Sequence, residues 1–266
     1  MTTSPTFPLL KHPAFRELSE AGAGRLEKGT RVLRFELGQQ LSEADDISAR
    51  VLILLQGQAR LVGRHNGRLT TVGKFGPGSV IGAASLMVGK ACENVVASQE
   101  VVACAISDEL WTDLYASEPS FADWCDRQLW PQELLQLLEV LAAQSPTAED
   151  TALELLEVAL KDAERCNAND EAIQAARADG QSIYVSSSWG TCSVGQPVLS
   201  LADVDQSQRF KPRLVAIPEQ LQQRLSQASP SEDAADAADG ENGSEPVSGE
   251  LIPFESSEAG ETLPPV

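Results

Sequence analysis

Short apolar runs separated by turn residues fill the chain between about residues 31 and 107. Val51–Leu55 is apolar throughout, which is typical of a strand that is buried on both faces. Gly57 ends this run, and the next run alternates apolar and polar positions as far as Asn66-Gly67, a pair that favours a hairpin turn. About eight such strands, with turns roughly every 8–12 residues, predict a closed roll of the jelly-roll type.

Helical periodicity follows the predicted roll. Ser107 can cap one helix, and Pro119 and Pro131 can each begin another. The last helix carries an apolar stripe, which packing against the chain's own roll would explain. The stripe consists of Leu134, Leu135, Leu138 and Leu141.

Pattern and composition divide the chain into four parts: a helical lead-in (1–28), a roll with its following helices (29–144), a small α/β module (145–227) and a tail (228–266). The tail consists mainly of small and acidic residues with almost nothing to bury, which predicts disorder. The predicted fold class is therefore α+β, with a β-roll, flanking helices, a small helical and β module, and a disordered acidic tail.

The formal net charge of the chain is −19, which argues against a nucleic-acid partner because phosphate binding needs clustered Lys and Arg. The tail contributes much of this charge; keeping the protein soluble is the favoured role, and binding a basic partner is the alternative. No apolar run reaches the roughly 18–20 residues of a membrane helix, and the polar first residues do not resemble a signal peptide. These features predict a cytoplasmic protein without an integral membrane segment.

Candidate catalytic and metal-binding groups are few. The five cysteines form no Cys-x-x-Cys motif, which predicts reduced, buried thiols. Ser186–Gly190 superficially suggests a serine nucleophile, but both histidines, His12 and His65, lie far away in the sequence. We therefore predict no catalytic residues, no metal site and no enzyme activity. The cysteines are Cys92, Cys104, Cys125, Cys166 and Cys192.

The order of glycines and strands between Arg34 and Ser107 resembles the cyclic-nucleotide-binding β-roll of the catabolite-activator type. Pro77–Gly82, read as PGSVIG, corresponds to the family's Pro-Gly-Asp-x-Phe-Gly turn. The family follows this turn with a carboxylate that holds the ribose, where this chain has Ala83. Its phosphate-binding Arg corresponds to Ala91. The resemblance thus implies a phosphate-binding cassette that has lost both charged side chains.

The resemblance also implies where a ligand would lie. The residues after the turn should form a short helical turn whose backbone N–H groups face the phosphate, and Ser85 can add a hydroxyl. Lys90 can offer a point charge in place of the Arg, whereas Glu93 would repel an anion if it faced inward. The candidate ligand-binding residues are Gly82, Ala83, Ala84, Ser85, Lys90, Ala91 and Cys92.

Loss of the two charged groups should weaken a cyclic nucleotide by about two to four decades in affinity. The favoured function is therefore a regulatory or scaffold protein whose pocket does not bind ordinary cyclic AMP or cyclic GMP. The first alternative is a sensor of another small ligand, or a weak sensor of a cyclic nucleotide. The second is the cytosolic regulatory N-terminal part of a bacterial peptide-exporting ABC transporter, which the order of roll, helices and a small β unit ending in Arg213–Gln222 loosely resembles.

Partners follow from the same resemblance. Relatives that act as transcription factors carry a basic helix-turn-helix domain where this chain has an acidic module, so DNA reading is not expected. In the family, the helices after the roll close over the ligand or pair two subunits, which leaves open a homodimer through residues 118–144. No cofactor is implied, apart from a weakly bound cyclic nucleotide or other small anion, and the protein partner is unknown.

Overall fold

Two four-stranded antiparallel sheets face each other across an apolar core in the first half of the chain. The computed structural model describes residues 9–65, 68–143, 148–204 and 210–227. The sheet orders are β1-β8-β3-β6 and β2-β7-β4-β5. The strands are β1 (Arg31–Phe35), β2 (Gln40–Ser42), β3 (Arg50–Gln56), β4 (Ala59–His65), β5 (Arg68–Phe75), β6 (Val80–Ile81), β7 (Val95–Ala97) and β8 (Val101–Ser107). The predicted roll of short strands is therefore confirmed.

The apolar side chains of β3 pack into two different cores. Val51 and Ile53 pack into the core beneath the flanking helices, whereas Leu52 and Leu54 pack between the two sheets. Because side chains alternate across a strand, a strand with a core on each side must be apolar at every position. β3 also lies between β8 and β6, so its backbone is paired on both edges.

Five helices flank the roll within the described residues, and the helix-side core is rich in aromatic rings. Phe15, Trp111 and Phe121 pack edge-on or stacked with centroid distances of 4.8–6.2 Å. The Ser107 hydroxyl accepts a hydrogen bond from the Leu110 N–H, as a helix cap does. The helices are α1 (Glu20–Gly29), α2 (Ala83–Val88), α3 (Asp108–Ser117), α4 (Pro119–Arg127) and α5 (Pro131–Ala142).

The second half of the chain forms a small three-stranded antiparallel sheet with helices, in the order β10-β11-β9. None of the helices in the described part of the chain is long and apolar enough to cross a membrane. The elements are α6 (Ala148–Asp162), β9 (Glu164–Cys166), α7 (Asp170–Ala178), β10 (Gln181–Val185), a 3-10 turn (Leu201–Asp203), β11 (Leu214–Pro218) and α8 (Glu219–Gln227).

The leucine stripe of α5 is buried within the chain. Leu134 and Leu138 are fully buried and share a cluster with Leu155 of α6 and Ile217 of β11. The stripe thus packs mainly against the small module, although the sequence pattern offered the roll as its partner. A homodimer through residues 118–144 stays a prediction, and it would have to use other side chains of this segment.

Three predicted features lie wholly or partly outside the described residues. These are the Asn66-Gly67 turn, the tail at residues 228–266 and the first eight residues of the lead-in. The predicted boundary near residue 145 stays a prediction, and α5 contributes to a core shared with the module beyond it.

Candidate functional site

The site begins at Gly82, where the chain turns from β6 into α2. Gly82 adopts a left-handed conformation with φ 90°. A Cβ at this position would lie 2.7 Å from the Arg50 carbonyl oxygen, so only glycine fits without a shift of the backbone. The turn leaves the first N–H groups of α2 without a partner inside the helix, and such groups attract an anion.

The carboxylate of Glu93 lies at the beginning of α2. Its Oε1 accepts a hydrogen bond from the Gly82 N–H at 3.0 Å, and its Oε2 accepts one from the Ser85 N–H at 3.0 Å. The Gln132 side chain, on α5, donates from Nε2 to Oε1 at 3.1 Å. Glu93 is fully buried. The chain therefore supplies its own anion to this helix.

The protonation of Glu93 follows from two opposing effects. Burial is the larger effect and raises the pKa of Glu93 above its usual value. The hydrogen bonds from the Ser85 and Gly82 N–H groups act in the opposite direction. Both carboxyl oxygens accept hydrogen bonds from N–H donors, which is the pattern of an ionised carboxylate.

The structure brings most of the predicted site residues around Glu93. Ala83 and Ala84 are fully buried in α2. The Ser85 hydroxyl, offered to a ligand by the sequence, instead accepts a hydrogen bond from the Cys92 N–H at 3.1 Å. A ligand-binding role for these residues stays a prediction.

The remaining predicted residues lie farther out. Lys90 is exposed at the surface, which does not favour its use as a substitute for the missing Arg. Ala91 and Cys92 are partly buried and line a cavity. Burial and the neighbouring Glu93 raise the pKa of the Cys92 thiol far above its usual range, so this cysteine is not a reactive thiolate.

The inward position of Glu93 is the feature that the sequence left undecided. The sequence presented Glu93 as a source of repulsion toward an incoming anion. The structure adds that Glu93 satisfies the Gly82 and Ser85 N–H groups that an incoming anion would need. An acid only two residues beyond the missing Arg is a signal that such a replacement can occur.

A buried ion pair connects α5 to the small module. The residue after Gln132 is Glu133. Arg213, the residue before β11, donates to it from Nε at 2.9 Å and from Nη2 at 2.8 Å. Ser186 donates to the same carboxylate at 2.5 Å. Burial acts to raise the pKa of Glu133, but Arg213 and Arg165 hold it below its usual range. Two adjacent residues of α5 thus have different partners: Gln132 binds Glu93, and Glu133 binds Arg213 of the module.

The small module also contacts α2 directly. The Trp189 indole N–H donates to the Met87 carbonyl at 2.8 Å, and the Ser188 N–H donates to the Val88 carbonyl at 2.7 Å. These contacts satisfy carbonyl groups at the end of α2. The ring lies against Gly89, where a Cβ would approach it to 2.8 Å. The module therefore contacts the C-terminal end of α2, whereas Glu93 binds at its beginning.

A cavity of about 710 Å³ lies between β4 and α5, next to Ala91 and Cys92. Its wall mixes apolar side chains with carboxamides and charged groups. The lining residues that bear on its chemistry are Asp45, Arg64, Cys92, Gln132, Gln136 and Glu139.

A family model identifies the fold that surrounds this site. Residues 32–118 match the model of the cyclic nucleotide-binding domain. The predicted resemblance is therefore confirmed, and so is the predicted α+β class. The matched segment runs from β1 to the end of α3, so Gly82, Glu93 and α2 all lie inside the segment that is similar to this domain.

Solved structures with a similar fold come from regulatory proteins and from an enzyme. A regulatory subunit of a cAMP-independent protein kinase A from Trypanosoma brucei shares 19% identity over 55% of this chain and 48% of its own, with a TM-score of 0.39. The N-terminal domain of a transcriptional regulator from Streptomyces coelicolor A3(2) shares 22% identity over 43% and 82%, with a TM-score of 0.37. A cAMP-binding acyltransferase from Mycobacterium smegmatis shares 19% identity over 51% and 41%, with a TM-score of 0.38.

The chain spans about half the length of the trypanosomal kinase regulatory subunits that it matches. No curated protein matches the chain.

Proposed function

We propose that this chain is a non-enzymatic, cytoplasmic regulatory or scaffold protein whose cyclic nucleotide-binding domain is closed to ordinary cyclic AMP and cyclic GMP by its own Glu93. The observation that carries the proposal is the pair of hydrogen bonds from the Gly82 and Ser85 N–H groups to the Glu93 carboxylate. A cyclic phosphate at the beginning of α2 would require the same donors.

Competition between the two anions favours Glu93. Hydrogen bonds to a charged group contribute roughly 1.5–3 kcal/mol each, and an incoming phosphate would have to break two of them. It would also leave a buried carboxylate without its donors. The side chain is part of the same chain, so its effective concentration at the helix stays high. The phosphate-binding Arg of the family corresponds to Ala91 here, and the neighbouring Lys90 is exposed, so neither residue compensates for this loss.

The regulatory surface would then be the outside of the roll and the small module. With Glu93 in place, the closed arrangement of α2 and α5 does not depend on a diffusible ligand. Such a domain can present one constant surface to a protein partner. The alternative of a transporter's N-terminal part stays a prediction, and the gene neighbours of this chain would test it.

Calorimetry and thermal unfolding with cyclic AMP and cyclic GMP test the proposal. A site with a Kd of about 10 μM would gain about 2.7 kcal/mol at 1 mM ligand, whereas we expect no stabilisation of the wild-type protein. We also expect that the double variant Ala83→Glu/Ala91→Arg binds neither nucleotide. Glu93 still accepts the hydrogen bonds that a phosphate would need, and it would repel the new carboxylate.

Adding Glu93→Ala to this double variant should create measurable binding. The matched control adds Glu100→Ala instead, which removes an exposed carboxylate paired with Arg34 on the surface. Micromolar binding to the wild-type protein would overturn the proposal. Equal binding by the double and triple variants would overturn it as well.

A further inference from the structure

We propose that the edge strand β5 binds an extended acidic peptide segment of a partner protein. This inference rests on the proposed function, because it names the class of partner that the outside of the roll would take as a regulatory surface. The charged residues of the site are Arg60 on β4 and Lys74 on β5. Neither of them lines the cavity between β4 and α5.

The hairpin of β4 and β5 is basic in a chain that is strongly acidic. Between Ala59 and Phe75 the sequence has four Lys and Arg residues and no Asp or Glu, whereas the whole chain has 20 basic and 39 acidic residues. The charge of the hairpin is therefore opposite in sign to that of the chain, as an acidic ligand would require. The four residues are Arg60, Arg64, Arg68 and Lys74.

Arg60 and Lys74 lie directly opposite each other on the two strands. Ala59 and Leu61, on either side of Arg60, are buried between the two sheets. Because side chains alternate along a strand, Arg60 lies on the outer face of its sheet, and Lys74 lies there with it. Both residues are exposed. Like charges at opposite positions of neighbouring strands destabilise a sheet.

No carboxylate of the described residues offsets this repulsion. Neither Arg60 nor Lys74 forms an ion pair in the part of the chain that the structure describes. On the other side of Arg60, its partner in β7 is Val96. The next pair along the same face, Val62 and Thr71, also carries no charge. The sheet thus keeps an unfavourable pair of cations, which a carboxylate from outside would stabilise.

The edge of β5 is the second feature of the site. β5 ends the sheet order β2-β7-β4-β5 and pairs with β4 alone among the described strands. Its first four residues, Arg68–Thr71, are exposed. The outward N–H and C=O groups of such an edge can pair with an added strand. Every second side chain of that strand would lie on the face of Lys74 and Arg60, so acidic residues at these positions would meet both cations.

The same features disfavour other occupants. A second copy of this edge would bring two basic hairpins together. Anionic membranes are recognised by clusters of about four to eight Lys or Arg residues, whereas Arg60 and Lys74 are two. A nucleic acid would need more extensive contacts with its phosphates. Two cations beside unpaired backbone groups fit a short acidic strand.

Fluorescence anisotropy of the full chain tests this inference, with a labelled peptide of alternating Glu and Val residues and the length of β5. We expect saturable binding that weakens as the salt concentration rises. Arg60→Glu/Lys74→Glu should weaken it at least tenfold. The matched control, Lys28→Glu/Arg31→Glu, changes the charge equally at exposed positions of α1 and β1 and should leave binding unchanged. The same peptide N-methylated at alternate residues should not bind, because it cannot pair with the edge.

The single variant Arg60→Gln separates binding from folding. It removes the repulsion with Lys74, so the free energy of unfolding in urea should stay equal or rise while peptide binding weakens. A loss of stability in this variant would show that Arg60 supports the fold, and it would overturn the inference.

Three further results would overturn this inference and leave the proposed function intact. They are no binding of the acidic peptide, equal binding by the wild type and Arg60→Glu/Lys74→Glu, and binding of phosphatidylserine vesicles in place of the peptide. Cyclic AMP at about 1 mM should not change peptide binding. A change on its addition would overturn the proposed function instead.

Discussion

Glu93 combines a high cost of burial with an unusual number of donors. A carboxylate without water is unfavourable, and burial accordingly raises the pKa of this group. Three N–H donors offset this cost. Because burial is the larger effect, the free energy of unfolding should depend on the protonation of Glu93 and therefore on pH.

The unfolding free energy should therefore respond to Glu93→Gln in a pH-dependent way. The native state keeps the proton on Glu93 to higher pH than the unfolded chain, whose pKa is near 4.5. Wild-type protein should thus lose stability relative to the variant as pH rises from about 4.5 through the raised pKa. Urea unfolding at a series of pH values measures this difference.

Glu118→Gln provides a control of opposite sign. Hydrogen bonding to the Ser19 N–H is the main cause that lowers the pKa of Glu118. Its contribution to stability is present above about pH 4.5 and is lost as pH falls through the lowered pKa. The wild-type unfolding free energy minus that of Glu93→Gln should fall as pH rises. A difference that does not change with pH, or that increases with pH, would contradict the burial described for Glu93.

Sequence spacing predicted which residues form the site, but it could not predict the state of their side chains. Ala83 and Ala91 could be assigned from their positions after the Pro77–Gly82 turn, because the glycines of this region fix the path of the backbone. Whether Glu93 pointed inward depended on donors from Gly82, Ser85 and Gln132. These donors are up to 39 residues away, so no local pattern could report them.

At the scale of elements, α5 is the part that connects the two halves. Its leucine period predicted a helix with a buried face, and that helix is present. The partner of the face could not be predicted, because an apolar stripe fits any apolar surface. Arg213, which decides the partner, lies 80 residues from Glu133 in the sequence.

The Glu133–Arg213 pair should behave as a buried ion pair. Arg213 is 1% exposed and Glu133 is fully buried, so Arg213→Met should cost about 3–5 kcal/mol of unfolding free energy. The double variant Arg213→Met/Glu133→Leu should cost less than the sum of the single changes, by at least about 1 kcal/mol. Urea unfolding of the four proteins gives this coupling energy.

Arg127→Met is the matched control for this ion pair. It breaks an exposed pair with Asp123 on α4, which should contribute about 1 kcal/mol or less. Additive effects of the two changes at Glu133 and Arg213 would show that the buried pair does not hold α5 to the module.

At the scale of the molecule, the small module and α5 hold α2 on two sides. Trp189 binds the Met87 carbonyl from the module, and Gln132 reaches Glu93 from α5. The predicted boundary near residue 145 stays a prediction, and the Trp189 contact crosses it. The sequence could not reveal this contact, because the Ser186–Gly190 segment carries no regular period.

Trp189→Ala should loosen α2 without unfolding the roll. Loss of the indole removes the donor to Met87 and the ring that covers Gly89. We expect amide hydrogen exchange of α2 to accelerate at least tenfold, with little change in β3 and β8. Trp124→Ala is the control, because Trp124 packs on His12 and Phe121 instead. If amide hydrogen exchange in α2 is the same in Trp189→Ala as in the wild type, the module does not stabilise this helix.

An anion that belongs to the polypeptide cannot be depleted by a phosphodiesterase or diluted by growth of the cell. If Glu93 stands in for the messenger, the amount of signal equals the amount of protein, and only synthesis, degradation or modification can change it. A detector built in this way no longer reports a concentration. It reports its own presence.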